Sequence, residues 1–150
     1  MQSYRLPVYG LRLVRERSVQ CGQELEKAGN SREVAEMANR FLRDSPVEQF
    51  LVFFMDCQNR LIGMTVQKGT VNQTAVYPAE IYKAALLCNS VSIVLVCHNH
   101  PSGVLKPSPE DIRLTQKLKE GARLLGLALL DHIIVDGMGG FYSFLDAGIL

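Results

Sequence analysis

The chain has 150 residues, 47% hydrophobic and 21% charged, with 16 Lys and Arg against 15 Asp and Glu for a net charge of +1. That profile excludes a disordered chain and is that of one globular domain, long enough to bury a core without a disulfide or a metal. The near-zero balance gives no indication of the concentrated basic face that a phosphate backbone demands, so nucleic acid is not an expected partner.

The opening MQSYRLPVYGLRLVRER has no long apolar core, and no run approaches a membrane span. The expectation is a soluble cytoplasmic protein with no membrane partner. Cys21, Cys57, Cys88 and Cys97 are scattered without a CxxC pair, which reads as buried free thiols in a reducing compartment. Val8–Val14 alternates in the manner of a first strand. Asn30-Ser31-Arg32-Glu33 predicts a helix start; Val34, Met37, Ala38, Phe41 and Leu42 follow at helical spacing, and Pro46 ends the element. Val47–Met55 and Leu61–Gln67 predict two strands joined as a hairpin across Asp56–Arg60. A short helix begins near Pro78, with Ile81, Ala84, Ala85 and Cys88 on one side.

Val91–Cys97 is a continuous apolar run, the mark of a strand buried on both faces. After the loop HNHPSGVLKP a helix runs from Pro109 to about Leu125, with Gly126 as its C-cap. Leu129–Val135 and Phe141–Phe144 finish as strands around a glycine-rich turn. The expected class is a single α/β or α+β domain, a mixed sheet with helices packed on it.

Two of the three histidines, His98 and His100, follow the apolar strand directly. Residues two apart on an extended chain point the same way, so both imidazoles can converge on one point. Asp111 falls in the first turn of the next helix, and the intervening loop can fold back to bring it in. Two imidazoles and a carboxylate, with a fourth position for water, form the ligand set of a catalytic zinc site. Ser108-x-x-Asp111 ahead of an amphipathic run is also a capping box, with Pro109 at the first helical position. Such a site needs a general base. Glu48 is the leading candidate, since it shares a strand face with Phe50, Val52 and Phe54 at the edge of an apolar surface; the alternative is plain exposure at the strand's start. Glu80 is the second candidate, although the helix macrodipole already accounts for it and for Glu110. Cys97 reads as a small core residue, and His132, inside LLDHIIV, as a hydrogen-bonded core histidine rather than a ligand. Arg113, Lys117 and Arg123 form a modest basic stripe, most simply a solvated helix face.

The stretch HNHPSGVLKPSPEDIRLTQKLKEGARLLGLALLDHIIV resembles the RadC-like branch of the JAB/MPN metalloprotease superfamily, whose signature is an upstream Glu followed by H-x-H-x7-S-x-x-D. The similarity runs from about Ser45 to the end, through RLIGMTVQKGTVNQTAVYPAEIYKAALL and FYSFLDAGIL. It implies a mixed sheet sandwiched by helices, the cytidine-deaminase-like α/β/α fold, over residues 45–150. Residues 1–44 supply an N-terminal strand and helix that join or flank this core. The resemblance also implies zinc on His98, His100 and Asp111, Glu48 as catalytic glutamate, and Ser108 as the serine that hydrogen-bonds the reacting oxygen. The expected activity is hydrolysis of an amide bond in a peptide or isopeptide substrate. The residues ahead of the core are too few for the helix-hairpin-helix region usual in RadC proteins, and the short loops leave little room for ubiquitin-holding insertions. A nucleic-acid-associated module with a scaffold zinc site and an inactive interaction domain are the alternatives. A zinc deaminase is disfavoured because a P-C-x-x-C motif is absent. Oligomeric state stays open.

Overall fold

The computed structural model describes residues 7–10, 12–18, 30–68, 76–100 and 102–150, apart from the side chains of 93–97. The first helix, α1 (Ser31–Leu42), is capped by Asn30, whose side-chain oxygen accepts a hydrogen bond from the Glu33 amide at 3.0 Å. Val34, Met37, Ala38 and Leu42 form its buried stripe. Ser45, just past its end, precedes Pro46 and is therefore biased away from helical geometry. The hairpin follows as β1 (Gln49–Met55) and β2 (Leu61–Lys68), with Asn59 in the left-handed region at φ 58. Then come α2 (Pro78–Leu87), β3 (Ser92–Asn99), α3 (Pro109–Leu124), β4 (Ala128–Val135) and β5 (Phe141–Ser143).

The five strands form one sheet in the order β2-β1-β3-β4-β5. β1 is antiparallel to β2 and β3; β3 and β4 are parallel, so their connection must cross over, and α3 is that crossover. Alternate residues of β1 feed two separate cores. Leu51, Phe53 and Met55 join Ile133, Val135 and the buried stripe of α1 on one face. Phe50, Val52 and Phe54 join Ile81 and Ala85 of α2 and Leu118 and Ala122 of α3 on the other. Helices thus cover both faces of a mixed sheet, as expected. The two helices on the second face approach closely at Gly121, where a Cβ would fall 2.3 Å from the Tyr82 hydroxyl. That hydroxyl donates to the Leu118 carbonyl at 2.9 Å, so α2 is latched to α3 where a larger residue would part them.

Two expectations need correction. Val8–Val14 forms no strand among its described residues, and Val8, Tyr9, Leu13 and Val14 are exposed. Alternation specifies a chain that can be extended, but a strand also needs a ladder partner. The cysteines are not uniformly buried either. Cys57 is a free thiol exposed in the hairpin turn, and Cys88 is free and half-buried, its thiol pKa raised by burial. Cys21 and the side chain of Cys97 lie outside the described residues. No described helix is long and apolar enough to cross a membrane.

Candidate metal centre

The site lies where β3 ends, beside the start of β1 and the first turn of α3. Phe50 of β1 pairs with His98 of β3, which sets Glu48, two residues earlier, against the same end of the ladder. Period two along β3 turns His98 and His100 to one side. The His100 amide donates to the Val135 carbonyl at 3.1 Å, adding a β3–β4 rung past Asn99. The chain then turns, with Gly103 at φ 76 donating its amide to the His100 carbonyl at 2.9 Å.

Ser108 caps α3 in the box foreseen from its spacing. Its hydroxyl oxygen accepts from the Asp111 amide at 3.1 Å, while Asp111 Oδ2 accepts from both the Ser108 amide and the Ser108 hydroxyl, each at 2.7 Å. The cap therefore orients Asp111.

One potential ligand atom from each of Glu48, His98, His100 and Asp111 lies within 4.8 Å of all the others. His98 Nε2 is 2.8 Å from His100 Nε2, 3.3 Å from Asp111 Oδ1 and 3.6 Å from Glu48 Oε1; His100 Nε2 is 3.5 Å from Asp111 Oδ2. His98 is fully buried and stacks on Phe50, ring centroids 4.7 Å apart, whereas Glu48 at 29% exposure is the member most open to solvent. His100 Nδ1 faces the Val104 carbonyl, which only accepts, so that nitrogen carries a proton.

Burial, reinforced by the neighbouring His132, pushes the His98 pKa well below the usual histidine value, with Asp111 partly opposing. Burial also pushes His132 down to about 3. Burial disfavours the Asp111 anion. Hydrogen bonding from His100, the charge of His98 and the Ser108 cap outweigh that cost and hold the carboxyl well below the ordinary carboxylate range. The hydrogen bond to Asp111 raises His100 against the effect of its burial. At neutral pH the cluster thus combines an ionised carboxylate with a neutral, buried imidazole. Two imidazole nitrogens and a carboxylate gathered here could hold a metal ion, and a ligand already deprotonated need expel no proton to bind one.

Structure places the remaining candidates elsewhere. Glu80 is exposed on α2 and pairs with Lys83 at 2.5 Å, and Glu110 is exposed and pairs with Arg113. Arg113, Lys117 and Arg123 lie on the exposed side of α3, where Glu120 interrupts them. His132 is fully buried and hydrogen-bonded, 2.7 Å from His98 Nδ1 through its Nε2.

Sequence reasoning missed Asn99. Its side-chain oxygen accepts from the Gln49 amide at 2.8 Å and its side-chain nitrogen donates to the Val47 carbonyl at 3.2 Å. The Asn99 amide therefore acts as one more rung of the β1–β3 ladder and brackets Glu48 on both sides. The signal available was a buried-strand run ending in an amide between two inward histidines.

The family model for the RadC-like JAB domain matches residues 28–149. A UPF0758 protein of Pelobacter propionicus is 39% identical over 129 residues, covering 85% of this chain and 56% of the relative. One of Methanosarcina acetivorans is 43% identical over 110 residues (73% and 47%), and one of Actinobacillus pleuropneumoniae is 50% identical over 98 residues (65% and 44%). The chain spans about half the length of these curated relatives. With its mixed sheet between helices and a family match over residues 28–149, the chain belongs to the RadC-like JAB domain family.

Proposed function

We propose that this domain is a zinc-dependent hydrolase of amide bonds, a peptidase or isopeptidase. The observation that carries the reading is the convergence of Glu48, His98, His100 and Asp111 within 4.8 Å at the end of the central strand β3. His98, His100 and Asp111 would hold the metal. Zinc there would supply the Lewis acidity that makes water nucleophilic near neutral pH and polarises an amide carbonyl.

Glu48, the most solvent-open of the four, takes the proton of the attacking water and delivers it to the leaving amine. Ser108 donates to the developing oxyanion by turning its hydroxyl away from Asp111 Oδ2, which keeps its hydrogen bond from the Ser108 amide. His98, packed against Phe50, keeps one side of the site dry. Arg113, Lys117 and Arg123 give no support to a nucleic-acid module, because they share an exposed helix with acidic residues and Arg113 is paired with Glu110. An inactive interaction domain is disfavoured by the presence of every residue the chemistry requires.

The test is zinc content per chain, beside turnover of peptide and isopeptide substrates. Wild type and Glu48→Gln should each carry about one zinc and His98→Ala little, on the three-ligand open-site pattern. Glu48→Gln should lose about 10²–10⁴-fold in turnover, the ordinary contribution of a general base. A Glu48→Gln protein of normal activity removes Glu48 from its role; folded wild type that refuses zinc removes the hydrolase reading.

A further inference from the structure

His132 is buried without exposure on β4, stacked on Phe144 with ring centroids 4.6 Å apart and planes 7° from parallel. A polar ring in such surroundings is costly unless its nitrogens are bonded. Both are. Nδ1 lies 2.6 Å from Thr115 Oγ1 and Nε2 lies 2.7 Å from His98 Nδ1.

The directions of these bonds follow from counting protons. The Thr115 hydroxyl has one proton and donates it to the Asp111 carbonyl, one turn back on α3, at 2.7 Å. Toward His132 it can offer only a lone pair, so His132 Nδ1 carries the hydrogen. In the neutral ring Nε2 is then the acceptor, and the hydrogen between the two histidines belongs to His98 Nδ1. His98 Nε2 is left bare, and it is the atom that faces Glu48, His100 and Asp111.

We infer that His132 and Thr115 are positioning residues that lock His98 with its proton on Nδ1 and its lone pair on Nε2, aimed into the four-residue cluster. The inference deepens the proposed metallohydrolase and rests on that reading for its use, though the tautomer can be observed without any metal. It has a counterpart at His100, whose Nδ1 is held by the Val104 carbonyl. His98 Nδ1 points into the core, and the acceptor that meets it there is a second histidine. The relay closes on itself, because Thr115 also grips the backbone of Asp111. Losing the acceptor frees His98 to adopt the other tautomer, which directs a hydrogen where a ligand lone pair is needed.

The experiment has two arms. Long-range 1H–15N correlation on metal-free protein should show His98 protonated at Nδ1 in wild type; protonation at Nε2 instead overturns the relay. Zinc affinity is then measured by chelator competition for wild type, His132→Phe, Thr115→Val and His132→Gln, with circular dichroism confirming the fold. His132→Phe keeps the ring against Phe144 and should bind zinc about 10–100-fold more weakly, the usual effect of removing such an outer partner. Thr115→Val should weaken it in the same direction. His132→Gln, with a carbonyl for His98 and an amino group for Thr115, should recover part of the loss. Folded His132→Phe and Thr115→Val with wild-type affinity overturn the relay and leave the hydrolase reading intact. Should His132→Phe fail to fold, Thr115→Val decides. Should wild type refuse zinc, the hydrolase reading fails and the tautomer alone decides the relay.

Discussion

Two acidic side chains, Asp131 within β4 and Asp111 in the first turn of α3, show opposite solutions to the burial of a carboxylate. Asp131, 3% exposed on β4, is surrounded by donors. Its Oδ2 accepts from the hydroxyls of Ser31 at 2.8 Å and Ser143 at 2.6 Å; its Oδ1 accepts from the amides of Leu145 at 2.9 Å and His132 at 2.7 Å. The start of α1, the strand β5 and the closing turn are all tied to that one group. At the candidate metal centre the pattern is reversed. Ser108 supplies donors to one oxygen of Asp111, but carboxylate oxygens and imidazole nitrogens otherwise crowd together. A carboxylate closed by donors holds a fold together; a cluster rich in acceptors is arranged for a cation.

The sharpest way to break this comparison is to remove a carboxyl from each side of it. Asp131→Ala leaves two hydroxyls and two amides without their buried acceptor and should cost about 3 kcal/mol or more. Asp131→Asn should cost about 1 kcal/mol, because serine hydroxyls can turn to accept from the new amino group. Glu48→Gln should stay within about 0.5 kcal/mol of wild type in denaturant unfolding while losing turnover. Equal stability losses for Asp131→Ala and Glu48→Gln would erase the distinction between a structural and a functional carboxylate.

What was legible in the sequence had local causes. The capping box at Ser108, the amphipathic stripe after Asn30, the apolar run of β3 and the H-x-H spacing each depend on neighbours a few residues apart, and all of these elements form. Gly126 does sit in the left-handed region, at φ 70, just past α3. Val8–Val14 failed as a strand because alternation contains no information about a pairing partner. The hydrogen bond between His98 and His132 depends on the parallel register of β3 and β4, with Val96 opposite His132. A single-sequence reading could place His132 in the core but could not name what it touches. Cys57 looked like a core thiol by composition, yet the tight hairpin turn leaves it in solvent.

The candidate metal centre and its neighbour His132 also carry a pH dependence. His98 and His132 have folded-state pKa values pushed below the ordinary 6.5, so the unfolded chain binds more protons than the native one as pH falls beneath that value. Their contribution is present above pH 6.5 and is lost as pH drops toward their depressed values. His100 works in the opposite sense: the stability from its raised pKa is complete below 6.5 and disappears as pH rises through that raised value. Asp111 contributes above its ordinary 3.8 and loses that contribution only in stronger acid. Between pH 6.5 and about 4 the metal-free protein should therefore lose stability steadily. The His132→Phe protein should show a shallower slope, by about one proton per molecule. Identical slopes in chemical denaturation would mean that His132 is already charged in the native state.

The smallest effect sharpens the comparison from within the site. Asn99 binds no proposed ligand, yet its side chain holds the backbone on both sides of Glu48. Asn99→Ala removes both bonds and should cost about 1–2 kcal/mol, since the Gln49 amide and Val47 carbonyl lose their partner. Because His98, His100 and Asp111 stand on other supports, zinc content should be unchanged. Glu48, freed to swing, should lose about tenfold in turnover, with the loss in kcat rather than in KM. A parallel fall in zinc content would make Asn99 a brace of the whole β3 terminus. Unchanged turnover would show that Glu48 is positioned without the Asn99 rung, which then serves only the fold.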